Sequence, residues 1–226
     1  MNDSDRTARA MLSSSRLIIP LIVIMVVALG EVFLMPLRTH AAPTDTQLPV
    51  PYYSQYQGQP GENYDCGPAS VAMVLSYYGE GPGGGASGLT AVRNATGNTS
   101  GGDTGFSDLE NALSYYGSSY SEIPDSLSPA PAAQVQAMEQ ATASGQPVIA
   151  LISAYDFGRS YYGHWIVVTG FSSDGQTVYL NDPDNQNPRS GYPNWIVGGQ
   201  ITVSLSTFQQ ALYDAPTGPY GIVVTS

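Results

Sequence analysis

Three side chains in this sequence have the types and surroundings for joint chemistry. Cys66, in "ENYDCGPASVAMVLSYYG", is the only cysteine. Of two histidines, His40 lies in a segment expected to be removed or left at a membrane, so His164 in "GHWIVVTGF" is the one imidazole of the folded part. Asp182 ends "TVYLND", directly before Pro183. A thiolate is a strong nucleophile, an imidazole can take and return a proton, and a carboxylate can hold the ring in one orientation. Together they would support covalent thiol catalysis through an acyl-thioester. Separately, each has a plainer explanation: a lone cysteine is often a small core residue and a lone histidine a structural one.

Position strengthens the chemical reading. The apolar spacing predicts a helix over 66–78, with Pro68 tolerated in its first turn and Gly79 as its stop. Val71, Val74, Leu75 and Tyr78 share one face of it. Cys66 then sits at a helix N-terminus, where free N–H groups and the helix dipole favour an anionic sulfur. Asp65 beside it is a candidate N-cap whose charge would act against that anion. His164 opens a strand, and "SSDGQ" is turn chemistry joining it to "TVYLND" as a hairpin. Antiparallel pairing would bring Asp182, or its neighbour Asn181, beside His164.

Around these blocks, "LPVPYYSQ" alternates like a proline-limited edge strand, and "YQGQPGENYD" reads as a loop. "GEGPGGGASG" reads as a flexible connection without the Gly-Lys-Ser/Thr ending of a phosphate loop. "FSDLENALSYYG" predicts a second helix with Ser107 and Glu110 as a capping box, and "PAAQVQAMEQATASG" a third. "PVIALIS" and "YGIVVT" predict strands and "STFQQAL" a short helix. Helices mostly first and antiparallel strands mostly later predict an α+β domain. Tyr77, Tyr78, Tyr115, Tyr116, Tyr161 and Tyr162 are expected in core and cleft walls, and the glycosylation patterns at Asn94 and Asn98 are read as chance matches in a polar loop.

Charge excludes one class of partner. The chain of 226 residues carries a formal net charge of -11, and all seven of its basic residues are arginines. Only Arg93, Arg159 and Arg189 lie beyond Ala42, so no basic stripe could neutralise nucleic-acid phosphates. No metal-ligand spacing occurs, and neither metal nor cofactor is expected. At the N-terminus, Arg6, Arg9 and Arg16 precede an apolar run from Leu17, and "RTHAAP" supplies small residues for signal cleavage after Ala41. Leu17 to Leu37 is also long enough to span a bilayer. The expected organisation is a signal peptide or anchor over 1–42, a short linker over 43–47 and one domain over 48–226. That domain would lie outside the cytoplasm, secreted or held at the outer face of the membrane.

"VPYYSQ", "DCGPASVAMVLSYYG", "GHWIVVTGF" and "YLNDP", in that order from about Leu48 onward, resemble the bacteriocin-processing, double-glycine peptidase family of papain-like cysteine peptidases, and its stand-alone exported type in particular. The resemblance implies a papain-like α+β fold with the nucleophile on a central helix packed on an antiparallel sheet. It implies Cys66 as nucleophile, His164 as general base, Asp182 as the residue orienting it, and a glutamine upstream of Cys66 as oxyanion donor. Gln55 is preferred over Gln59, since a strand end fixes a side chain better than a Gly-Pro loop. The transporter-linked members cleave leaders in the cytoplasm; an exported domain would not, so that substrate is not carried over. The expected substrate is a peptide or protein and the expected state a monomer. A cell-wall peptide amidase with the same triad, or a silent peptide-binding module on this scaffold, are the competing functions.

Overall fold

The computed structural model describes residues 45–98, 100–187, 191–192 and 194–226, all within the compact unit Ala42–Ser226. The expected signal or anchor segment lies outside the described residues. Among those residues, no helix is long and apolar enough to cross a membrane.

The centre is a seven-stranded antiparallel sheet. Its strands are β1 (Thr46–Gln47), β2 (Ser119–Ile123), β3 (Val148–Ser153), β4 (Gly163–Phe171), β5 (Thr177–Asp182), β6 (Gly199–Ser204) and β7 (Tyr220–Thr225). They lie in the order β2-β7-β3-β4-β5-β6, with β1 paired to β4. Among the described residues, five α-helices cover it: α1 (Cys66–Tyr77), α2 (Gly85–Thr96), α3 (Phe106–Tyr115), α4 (Ala132–Ala143) and α5 (Leu205–Tyr213).

Both faces of the sheet are buried. Along β3, Ile149 and Leu151 pack on the layer of α1, α2 and α3, while Val148, Ala150 and Ile152 pack on α4 and α5. β4 repeats the pattern, with Trp165 and Val167 on the first side and Ile166 and Val168 on the second. Alternate side chains of a strand point to opposite faces, so two apolar sets in one strand require two covering layers. This is an α+β fold of helices on an antiparallel sheet.

The helix carrying Cys66 is more enclosed than one apolar stripe implies. Every residue from Gly67 to Leu75 is buried, because α1 lies between the sheet and the pair α2–α3. Gly67 matters here, since a Cβ at that position would stand 2.1 Å from Thr104 Oγ1. Gly79 follows the helix at φ 74, the left-handed conformation that ends helices.

Several local expectations are corrected. The segment 43–47 is not only a linker: Thr46 and Gln47 pair with Phe171 and Gly170, and Asp45 accepts from the Ser173 N–H at 2.7 Å and the Tyr179 hydroxyl at 3.0 Å. Residues 48–55 form no regular strand; their prolines leave too few N–H groups for a ladder. "GEGPGGGASG" is a loop only in its first part, for α2 begins at Gly85. The cap of α3 lies elsewhere than expected, with Asp108 Oδ2 accepting from the Gly105 N–H at 2.9 Å. β2 and β6 were not anticipated, being polar edge strands whose exposed faces dilute the apolar signal. Tyr115 is exposed rather than core, whereas Tyr77 and Tyr78 donate to the carbonyls of Gly145 and Val224.

Candidate active site

The residues singled out by type come together where β3 ends and β4 begins. His164 is the second residue of β4 and Asp182 the last of β5. The register pairs Val167 with Asn181, so Asp182 falls on the face of Ile166 and, two residues along, of His164. His164 Nε2 and Asp182 Oδ1 are 2.7 Å apart, both side chains fully buried. Asn181 points the other way, donating from Nδ2 to the carbonyl of Val50 at 3.0 Å. It fastens the segment leading to Gln55, and strand parity excludes it from His164.

Charge and burial determine the proton positions. Burial would lower the His164 pKa, but the Asp182 carboxylate outweighs it and raises the value to about 9, with Arg159 opposing. Burial would raise the Asp182 pKa, but Arg159 and His164 hold it down at about 2. Asp182 is therefore ionised and the proton of the 2.7 Å contact sits on Nε2. That leaves Nδ1 for Cys66, which lies within hydrogen-bonding reach of the ring.

Asp65 does not cap α1 with its side chain. Its buried carboxylate is held by Arg93 Nε and by Gln59 Nε2 at 2.7 Å, while Arg93 also donates to the carbonyls of Tyr64 at 2.6 Å and Gly102 at 3.0 Å. The charge beside Cys66 is thus compensated by a buried guanidinium.

The two glutamines have different tasks. Gln59 is buried, not a solvated loop residue, and both hydrogens of its amide are engaged, by Asp65 and by the Gln55 carbonyl at 2.8 Å. Gln55 gives one hydrogen to the Glu62 carbonyl at 2.9 Å and lines the cleft with Cys66. A primary amide has two donors, so one N–H of Gln55 remains for the cleft. Its position is fixed by the bond from its backbone N–H to the Pro183 carbonyl at 3.0 Å, not by a strand end.

Cys66, His164 and Gln55 open into one cleft of about 820 Å³. Phe106, Leu151 and Trp165 form an apolar wall, with Trp165 Nε1 donating to the Thr104 carbonyl at 2.9 Å and its ring edge-on to Phe106. Tyr64 and Tyr162 stand exposed on the rim, and Asp103 is the charged residue of the lining apart from the site itself.

Sequence reasoning treated Arg159 only as one charge among few. It is fully buried behind Asp182, with Nη2 at 2.5 Å from Oδ2. One signal was available: in a lysine-free domain with three arginines, an arginine five residues before the only useful histidine calls for a reason.

Fold and site together define a papain-like cysteine peptidase: an enclosed helix with a thiol at its N-terminus, set against an antiparallel sheet that carries a histidine–carboxylate pair. Residues 47–209 match the model described as the Peptidase_C39 like family, and the chain belongs to that family. It is a cysteine peptidase. A solved structure described as a C39-like peptidase from Bacillus anthracis is similar, with a TM-score of 0.55 at 17% identity over 80% of this chain and 98% of that one. The peptidase domain of Streptococcus ComA, described as a bifunctional ABC transporter involved in quorum sensing, gives a TM-score of 0.45 at 16% identity over 72% of this chain and 92% of that one. No curated protein matches the sequence.

Proposed function

We propose that the protein is an exported peptidase that cleaves peptide bonds through Cys66, His164 and Asp182. The observation that carries this reading is the tandem contact at His164, with one ring nitrogen on Asp182 and the other available to Cys66 at the cleft. His164 Nδ1 takes the thiol proton, and Cys66 Sγ attacks the substrate carbonyl carbon. The carbonyl π electrons move to oxygen, where the Cys66 backbone N–H and the free amide hydrogen of Gln55 receive the charge. As the first residue of a helix, Cys66 has no intrahelical partner for that N–H. The imidazolium returns its proton to the leaving amine, the C–N bond breaks, and an acyl-thioester remains. A water molecule, deprotonated by His164, then releases the acid and restores the thiol.

Export rests on the basic flank, apolar run and small-residue stretch of the N-terminal segment. Cleavage after Ala41 would give a secreted enzyme, and retention of Leu17 to Leu37 one tethered outside the membrane. The enzyme would act as a monomer on peptides or unfolded proteins.

The test is a peptide-library digest analysed by mass spectrometry, with Cys66→Ala as comparison. New termini produced by the wild type and absent with Cys66→Ala support the proposal. Equal cleavage by both would refute Cys66 as nucleophile. N-terminal sequencing of the extracellular fraction tests export, and a soluble cytoplasmic product retaining Met1 would refute it.

A further inference from the structure

We propose that Arg159 is a positioning residue of the catalytic centre: it clamps Asp182 from the side opposite His164, so that one carboxylate oxygen is presented to the ring and its charge there is offset. The inference rests on the catalytic reading of His164 and Asp182 given above.

The geometry is a built cradle. Arg159 Nη2 lies 2.5 Å from Asp182 Oδ2, and Nη1 lies 3.3 Å from Oδ1, a two-pronged grip that a planar guanidinium can make and an ammonium cannot. Further contacts of the two Nη groups fix the guanidinium itself. Nη2 also reaches the carbonyls of Ile196 at 3.1 Å and Asp184 at 3.3 Å, and Nη1 reaches the Tyr161 hydroxyl at 3.2 Å. Tyr161 in turn donates to Asp184 Oδ2, and the Asp184 N–H donates to Asp182 Oδ1 at 3.0 Å. Asp182 is the last residue of its strand, and its pairing with Gly199 is where the β5–β6 ladder ends. Without the clamp, Oδ2 would lose its guanidinium partner and only the Asp184 N–H would hold the carboxylate toward His164.

The groups facing His164 come from several elements. Asp182 touches it, with Arg159 and Asp184 behind; Cys66 stands on the other side, and the Tyr161 ring packs edge-on at 5.6 Å. Tyr52 and Tyr56 are nearby, and burial pushes both phenols up, Tyr52 to about 12, so they stay neutral while the histidine titrates. The cation of Arg159 opposes protonation of the ring, whereas Asp182 favours it. Removing Arg159 should therefore do two separate things. Looser placement should slow reaction at Cys66, and the loss of a nearby positive charge should let His164 keep its proton to higher pH.

The experiment follows alkylation of Cys66 by iodoacetamide against pH in the full-length protein, for wild type, Arg159→Met and Arg159→Lys. This probe needs no knowledge of the substrate. Its alkaline step reports the imidazolium losing its proton beside a sulfur already ionised, and in His164→Ala the whole profile should give way to one rise set by the thiol's own ionisation; a wild-type profile there would refute the catalytic reading rather than the role of Arg159. Arg159→Met should move the alkaline step up by about one pH unit, the scale of a lost neighbouring charge. Arg159→Lys should leave the step in place but lower the plateau rate about tenfold, since misplacement of a reacting pair is costly in rate. If Arg159→Met does not fold, because two carboxylates lose their buried partner, Arg159→Lys decides alone. A wild-type rate and profile in every variant that folds would overturn the proposal.

Discussion

Replacing Asp182 by asparagine probes the site with almost no change of shape. With its single oxygen asparagine can still accept from Arg159 Nη2, at the cost of the acceptor for the Asp184 N–H, so the chain should fold. It cannot supply the negative charge 2.7 Å from His164. In the wild type that charge raises the His164 pKa from 6.5 to about 9 against the effect of burial. At roughly 1.4 kcal/mol per pH unit, the pair stabilises the protonated ring by about 3 kcal/mol. The sign follows from the raised value: the contribution is complete below about pH 6.5 and is lost as pH rises through about 9. For a domain of this size, about 3 kcal/mol corresponds to about 10 °C in melting temperature. Wild-type melting temperature should therefore fall by several degrees between pH 6 and 9, where few tyrosines of the unfolded chain are ionised. In Asp182→Asn that fall should vanish, and fast alkylation of Cys66 at neutral pH should give way to one rise set by the thiol's own ionisation, because burial and Arg159 both now disfavour a proton on His164. An amide nitrogen facing the ring would also put the imidazole proton on Nδ1, the wrong nitrogen for accepting from Cys66, and such a tautomer error costs on the order of 10⁴ in turnover. Thermal melts across pH together with alkylation kinetics measure both effects. An Asp182→Asn protein that kept the wild-type alkylation profile at neutral pH would refute the assignment of Asp182 and the reasoning from charge.

Other outcomes follow from the same geometry. Gln55→Ala should lower turnover about a hundred- to a thousandfold with little change in melting temperature, whereas Gln59→Ala should leave turnover nearly intact and destabilise the fold by about 1–3 kcal/mol through its lost bond to Asp65. Gly67→Ala should cost about 1–3 kcal/mol by pushing its new methyl onto Thr104, and should slow turnover because that loop forms the cleft wall; calorimetry and peptide hydrolysis check the two parts. Peptides with basic residues near the cut should be cleaved faster than acidic ones, and the difference should shrink with salt. The reason is that Arg93 and Arg159 are both buried against carboxylates, leaving Asp103 to set the charge of the lining; a library showing acidic preference would contradict this.

The legible part of this protein was what local rules control. The helix from Cys66, its proline and glycine limits, the β4–β5 hairpin and the sequence blocks around Cys66, His164 and Asp182 all follow from neighbours within a few residues. That is enough to single out a thiol, an imidazole and a carboxylate as candidates and to assign the fold class. The choice between Asp182 and Asn181 needed the register of β4 and β5, because adjacent residues face opposite sides and only pairing says which side is which. The choice between Gln55 and Gln59 needed the partners of their amides, two loops folded on one another. The polar edge strands β2 and β6 and the start of α2 were invisible because exposed or glycine-rich segments carry little periodic signal. Arg93 and Arg159 changed meaning most. As sequence they are two charges in an acidic chain; in the folded protein each is bonded to a carboxylate 28 or 23 residues away, next to Cys66 or behind His164. Contacts at such separations are made by the packing of the whole domain, which no local pattern encodes, and tertiary structure alone could give those charges their partners.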